Sequence, residues 1–197
     1  MEDKLKKLKE EVSKLASNPN FVHHKWFVKW HLEIVDKIAM ELCDIYPNAN
    51  RDLVTTLVWL HDYAKIIDFK NEHNPDTMAL TGDFLISLGF DKTFADEFVK
   101  NLNIYESYMT NDLSHESIEI RIASSSDGAS HTVGPFYFIY WYEHPEKTIE
   151  DLMASNLAKL EKEWSRKITL PEVKKAFEER YRQIKEINGL VPDKLLS

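Results

Sequence analysis

Only five glycines and seven prolines punctuate the 197 residues of this chain, and they fall at spacings that mark helix ends. Between them, apolar residues recur at three- and four-residue steps, the period of one helical face. Residues 3–17 carry Leu5, Leu8, Val12 and Leu15 with Lys and Glu between them, which predicts an amphipathic helix. A second helix is predicted from about Pro19 to Ile45. Its apolar stripe is Ile34, Val35, Ile38, Ala39 and Leu42, and Pro47 follows its end. The third, roughly Asp52 to Ile67, is the most apolar and is expected at the centre. Asn74-Pro75 supplies an N-cap and a proline at the first helical position, and Gly89 closes that helix. Residues 92–105 and 113–127 read as two more. Thr169-Leu170-Pro171-Glu172 opens a charged last helix that stops at Gly189 and should present a solvated face. The expected fold is therefore all-α, a compact bundle of about seven to nine helices forming a single domain over residues 1–197.

One segment departs from this pattern. Phe136-Tyr137-Phe138-Ile139-Tyr140-Trp141-Tyr142 has strong β-propensity and no polar alternation. A lone strand has nothing to pair with in a helical chain, so a buried aromatic helix or the wall of a pocket is expected. Aromatic faces there can also stack a nucleobase.

Composition excludes several classes. A hydrophobic content of 43% with 29% charged residues is that of a globular chain, not a disordered one. The one cysteine, Cys43, allows neither an internal disulfide nor a cysteine-based zinc site. Its apolar neighbours favour buried packing. The net charge of −8 repels a phosphate backbone and gives no basic footprint for duplex nucleic acid. A small phosphorylated partner stays compatible, because a bound cation reverses the local field. No stretch reaches 18 uninterrupted apolar residues, so no membrane-spanning helix is expected. The first residues contain no apolar core of a secretory signal, and a cytoplasmic location is the expectation. The amphipathic first helix and the aromatic block can both serve a homodimer.

The polar residues that fall inside the apolar segments are the informative ones. His61-Asp62 lies near the C-terminal end of the most hydrophobic helix, where a buried imidazole and carboxylate are costly unless each is paired or ligates a metal. The pair alone is also explained by a His–Asp hydrogen bond stapling two helices. His31 precedes an apolar stripe at the next three, four and seven residues, so its side chain should point inward. Asp127 ends a run whose Ile118, Ile120, Ile122 and Ala123 belong in a core. Four potential ligands thus lie on three helices that must pack around one centre.

This order resembles the HD-domain phosphohydrolase superfamily, whose pattern is a histidine, then a His-Asp pair, then a distant aspartate. Here these are His31, His61-Asp62 and Asp127. Leu60-His61-Asp62-Tyr63-Ala64-Lys65 is similar to the family's Leu-His-Asp-Ile-Gly-Lys. The resemblance covers about residues 22–135, a motif-bearing core, and leaves 136–197 as a C-terminal helical extension. It implies a helical bundle holding one divalent ion and an enzyme that hydrolyses small phosphate esters, often nucleotides. Three departures stand out. Ser126-Asp127-Gly128-Ala129 replaces the family's Ala-Asp-Arg-Leu, and Ala64 replaces a glycine. The region Asn103-Ile104-Tyr105-Glu106 lacks the extra histidine of two-metal members, which argues for a mononuclear site.

Two imidazoles and two carboxylates suit Mn²⁺, Fe²⁺, Co²⁺, Ni²⁺ or Zn²⁺ better than Ca²⁺. By this reading His31, His61, Asp62 and Asp127 are the metal ligands, and Asp62 also orients the attacking water. Lys65, four residues after His61 on the same helical face, neutralises a substrate phosphate or else is a surface lysine at a helix end. His73, just after the motif, and His131, just after Asp127, are candidate substrate contacts. The alternative function is a non-catalytic helical regulator that keeps the metal or holds a nucleotide without cutting it.

Overall fold

The computed structural model describes residues 1–72, 75–189, Lys194 and Leu196, with the backbone alone for 75–78. Among the described residues there is no strand. The helices are α1 (Glu2–Ala16), α2 (Glu33–Ile45), α3 (Arg51–Leu60), α4 (Tyr63–Ile67), α5 (Pro75–Ser87), α6 (Lys92–Glu106), α7 (Ile118–Ser130), α8 (Phe136–Glu143), α9 (Ile149–Lys162) and α10 (Pro171–Ile187). With α3 and α4 taken as two halves of one interrupted helix, the number agrees with the sequence expectation.

The bundle is built on α2, α3 and α7, which pack on one another. Every residue of α3 from Leu53 to Leu60 is buried. Asn50 starts it by accepting from the backbone N–H groups of Asp52 and Leu53, which satisfies donors the first turn would otherwise strand. α1 covers α3 with Leu8, Val12 and Ala16, the inward face of the predicted stripe. Core leucines such as Leu57, fully buried, would each cost about 2–5 kcal/mol on truncation to alanine. The helix beginning at Pro171 and ending before Gly189 is observed as α10, largely solvated.

The differences from expectation cluster where the polar residues sit. The helix expected from Pro19 to Ile45 is divided. Residues 22–26 form turns, Val28–Leu32 form one π-helical turn, and α2 begins at Glu33. The helix expected over 52–67 breaks at His61-Asp62, where Asp62 adopts φ −105°, ψ 16°, near the bridge conformation common at functional positions. A short 3₁₀ turn, Leu113–His115, precedes α7, which starts after the Ser117 cap. The aromatic block is the helix α8. Only Tyr137 within it is buried, and Phe136, Ile139 and Tyr140 face a cavity, so the block is a pocket wall. In the C-terminal extension α9 runs into a second π turn, Glu163–Lys167, that packs on α7. No helix of the described residues is long and apolar enough to cross a membrane.

Candidate metal centre

Three segments meet at the middle of the bundle. The first π turn delivers His31, the α3–α4 break delivers His61 and Asp62, and α7 delivers Asp127. All but Asp62 are buried. Asp62 keeps 16% of its side chain exposed, facing the cavity. Interrupting the helix at Asp62 matters geometrically, since adjacent residues of an unbroken helix diverge by about 100°. Here Asp62 Oδ2 comes within 3.3 Å of His61 Nε2 and 3.4 Å of His31 Nε2.

The protons on both imidazoles can be assigned from their outer nitrogens. His61 Nδ1 lies 2.8 Å from the Val58 carbonyl oxygen, to which it donates. His31 Nδ1 lies 3.3 Å from Ser130 Oγ. That hydroxyl gives its own proton to the Asp127 carbonyl and so accepts from His31. Both Nε2 lone pairs then face each other across 3.2 Å. Two acceptors at that separation need a cation between them. A single proton satisfies the imidazoles, whereas a divalent ion satisfies them and both carboxylates.

Asp127 carries the same message. Its Oδ2 accepts from Tyr105 Oη at 2.6 Å and forms a short ion pair with Lys167 Nζ. Its Oδ1 is buried with no hydrogen-bond partner. Oδ1 sits 3.7 Å from His31 Nε2, 3.7 Å from His61 Nε2 and 3.6 Å from His131 Nε2. These separations are too long for hydrogen bonds. They match donors sharing one ion, since metal–ligand bonds of about 2.1 Å place tetrahedral donors about 3.4 Å apart. The potential ligand atoms form two triads, His31-His61-Asp62 and His31-Asp127-His131, each mutually within 4.8 Å. This buried cluster can hold a metal ion.

The electrostatics agree. Burial would raise the Asp62 carboxyl, but the charge of Lys65, with His61 beside it, outweighs that and holds it well below the usual range. Asp127 is likewise held down against burial by Lys167 and three histidines. Desolvation pushes His31 down to about 4, even with Asp62 and Asp127 nearby. At His61 burial also opposes the charge, yet Asp62 and Asp127 prevail and its value rises. Both carboxylates thus stay ionised, as metal ligands must be.

Lys65, the candidate phosphate contact, donates to Asp62 Oδ1 at 2.8 Å and lines the cavity. His73 lies outside the described residues. His131, the other candidate substrate contact, lines the cavity. It is buried inside the cluster, its ring stacked on His31 at 5.0 Å and 4°. Behind it, Nδ1 meets Glu163 Oε1 at 2.8 Å, and Lys159 reaches the same oxygen at 2.8 Å. Lys167, Glu163 and Tyr105 are site residues that the sequence did not reveal. For Lys167 the available signal was Ser124-Ser125-Ser126-Asp127-Gly128, a run of small residues in a helix otherwise read as core. A Cβ on Gly128 would lie 3.0 Å from Ile168 Cγ1 and 3.1 Å from Lys167 Cβ, so the missing side chain at this position opens the space through which Lys167 approaches. Ser124 Oγ donates to the Lys167 carbonyl, and Ser125 Oγ accepts from Thr169 and Leu170 N–H, tying that segment to α7.

Beside the cluster lies a cavity of about 440 Å³, within the usual range for small-molecule sites of about 300–1,000 Å³. Lys65, Lys159, Lys162 and Lys167 face it, as do Trp26, Phe136 and Tyr140. Compared with family models, curated proteins and solved structures, the chain matches none.

Proposed function

We propose that this chain is a metal-dependent phosphohydrolase of the HD-domain type, acting on a small phosphate ester of the nucleotide class. The observation that carries the reading is Asp127 Oδ1, a buried carboxylate oxygen without a hydrogen bond, held at nearly equal distance from three imidazole nitrogens. It is supported by the order His31, His61-Asp62, Asp127 along the chain and by Lys65, Lys159 and Lys162 facing the cavity beside the cluster.

A divalent ion bound by these side chains supplies positive charge for a phosphoryl group and makes a water molecule more acidic. The chain's own residues do the remainder. Lys65 fixes Asp62 through Oδ1, leaving Oδ2 turned to the cluster, where it helps orient the attacking water. Lys65, Lys159 and Lys162 offset the substrate's phosphate charge. Glu106 lines the same cavity, and burial together with the Asp62 charge raises its carboxyl. It therefore keeps a proton to higher pH than a solvated glutamate and can give it to the leaving oxygen. Trp26, Phe136 and Tyr140 offer faces on which a base can stack.

The test is metal analysis followed by a panel of phosphate esters and nucleotides with added Mn²⁺, Co²⁺, Ni²⁺ or Zn²⁺. The expected result is a bound first-row ion and release of phosphate from at least one ester, abolished by chelation. Full metal occupancy with no turnover across the panel would overturn the hydrolase and leave a metal-holding regulator.

A further inference from the structure

Resting on the metal centre proposed above, we infer that His131 is a fifth ligand to the same ion and that Glu163 is the positioning residue behind it. The centre then presents three imidazoles and two carboxylates and takes a nitrogen-preferring first-row ion such as Co²⁺, Ni²⁺, Fe²⁺ or Zn²⁺. Imidazole donors suit those ions, whereas Mg²⁺ and Ca²⁺ favour oxygen.

One distance recurs three times around Asp127. His131 Nε2 stands 3.6 Å from Asp127 Oδ1, and His31 and His61 stand 3.7 Å from that same oxygen. If His131 served only to hold Asp127 by a hydrogen bond, its Nε2–H would close that gap to about 2.9 Å. Instead, the nitrogen keeps the spacing that two donors take when they share an ion. The ring plane is set to match, parallel to His31 within 4°.

The other side of the ring is arranged as metal-ligating histidines usually are, with a carboxylate against the outer nitrogen. Glu163 Oε1 reaches Nδ1 at 2.8 Å, along a bent path that is an ion-pair contact more than a straight hydrogen bond. Glu163 is itself fixed by Lys159 at 2.8 Å and by Tyr137 Oη at 3.5 Å. The chain Lys159–Glu163–His131 thus runs from the cavity rim into the cluster.

A single ion follows from His31. His31 belongs to both potential triads, its Nε2 lies 3.4 Å from Asp62 Oδ2 and 3.7 Å from Asp127 Oδ1, and one lone pair serves one ion. The triads are therefore two halves of one coordination sphere.

The experiment loads the full chain, His131→Asn and Glu163→Gln with Co²⁺ after chelator treatment. It reads stoichiometry, the visible absorption of Co²⁺, affinity by competition with a chelating dye, and cooperative melting by circular dichroism. The wild-type chain should take one Co²⁺, with Mg²⁺ failing to displace it. His131→Asn should change the visible bands and bind Co²⁺ more than about 100-fold more weakly. Glu163→Gln should keep the bands and lose about 10- to 100-fold. A folded His131→Asn protein with wild-type bands and affinity would overturn the inference while leaving the four-ligand centre and the proposed function standing. If His131→Asn fails to fold, unchanged affinity in Glu163→Gln would overturn it. No Co²⁺ uptake by the wild-type chain would remove this inference and the metal centre together.

Discussion

Two π-helical turns flank the site, and they differ in what holds them there. Val28–Leu32 places His31 at the head of the stripe Leu32, Val35, Ala39 and Leu42, all buried, so ordinary amphipathic packing of α2 drives the histidine inward. Glu163–Lys167 follows the opposite logic. It buries two charged residues, Glu163 and Lys167, and is tied down by small residues of α7 and by ion pairs to His131 and Asp127. The first turn is positioned by hydrophobic burial and brings in His31, a candidate ligand. The second is positioned by the charges it neutralises. Apolar surface can thus bring a ligand to the centre, but a matched countercharge is needed to keep buried carboxylates there.

The largest expected effect breaks the first half of that contrast. His31→Ala or Asp127→Ala should abolish bound metal and reduce turnover to background, measured by elemental analysis and phosphate release. Retained metal in His31→Ala would show that the first turn supplies no ligand.

Next is Lys167→Met, which removes the cation beside Asp127 and leaves Tyr105 as the carboxylate's one side-chain hydrogen-bond donor among the described residues. Breaking a buried pair costs about 3–5 kcal/mol. The chelated variant should melt well below wild type, and added metal should recover more stability in it than in wild type, because the ion takes over the lost compensation. Equal metal-induced shifts in both proteins would contradict the role given to the second turn.

Gly128→Ala tests the same turn more gently. The new Cβ must push Ile168 and Lys167 back by a few tenths of an ångström, an overpacking cost of about 1–3 kcal/mol. Metal affinity should fall as Lys167 and Glu163 shift. By contrast Gly134 adopts φ 69°, and a Cβ added there would meet Trp30 Cε3 at 2.8 Å. Its substitution by alanine should lower stability without altering metal affinity.

The smallest effect is on pH dependence in chelator, because the site's histidines act in opposite directions, His61 one way and His31 and His131 the other. The raised value of His61 contributes stability that is present below 6.5 and lost as pH rises through its folded value. His31, lowered to about 4, stays neutral when the unfolded chain has already taken up its proton, so stability falls as pH drops from 6.5 toward 4. Glu163, lowered to about 2, adds a further loss as pH falls from 4.5. The melting midpoint should therefore peak near pH 6.5 and decline on both sides. His31→Ala should make the acid limb between 6.5 and 4 shallower, with the lowered His131 keeping part of it, and an unchanged limb would refute the assignment.

Much of this arrangement was legible in the chain, for reasons particular to each residue. Helix periodicity marked α1, α3 and α10, and the polar interruptions of apolar runs marked His31, His61, Asp62 and Asp127, because burying such groups demands a partner. The breaks at 28–32 and 61–62 were not legible. Both lie inside sequences with good helical periodicity, and it is the cluster's geometry that selects the interrupted backbone. Lys167 and Glu163 stayed hidden because a lysine and a glutamate in a charged segment ordinarily face solvent. Only the space over Gly128 and the unmatched charge of Asp127, both tertiary facts, draw them in.

The most direct test is a crystal of the full chain soaked in Co²⁺ and probed by anomalous diffraction. One peak within about 2.2 Å of His31 Nε2, His61 Nε2, Asp62 Oδ2 and Asp127 Oδ1 is the predicted result. Absence of a peak there at full soaking, or an ion bound without His31 and Asp127, would contradict the central claim.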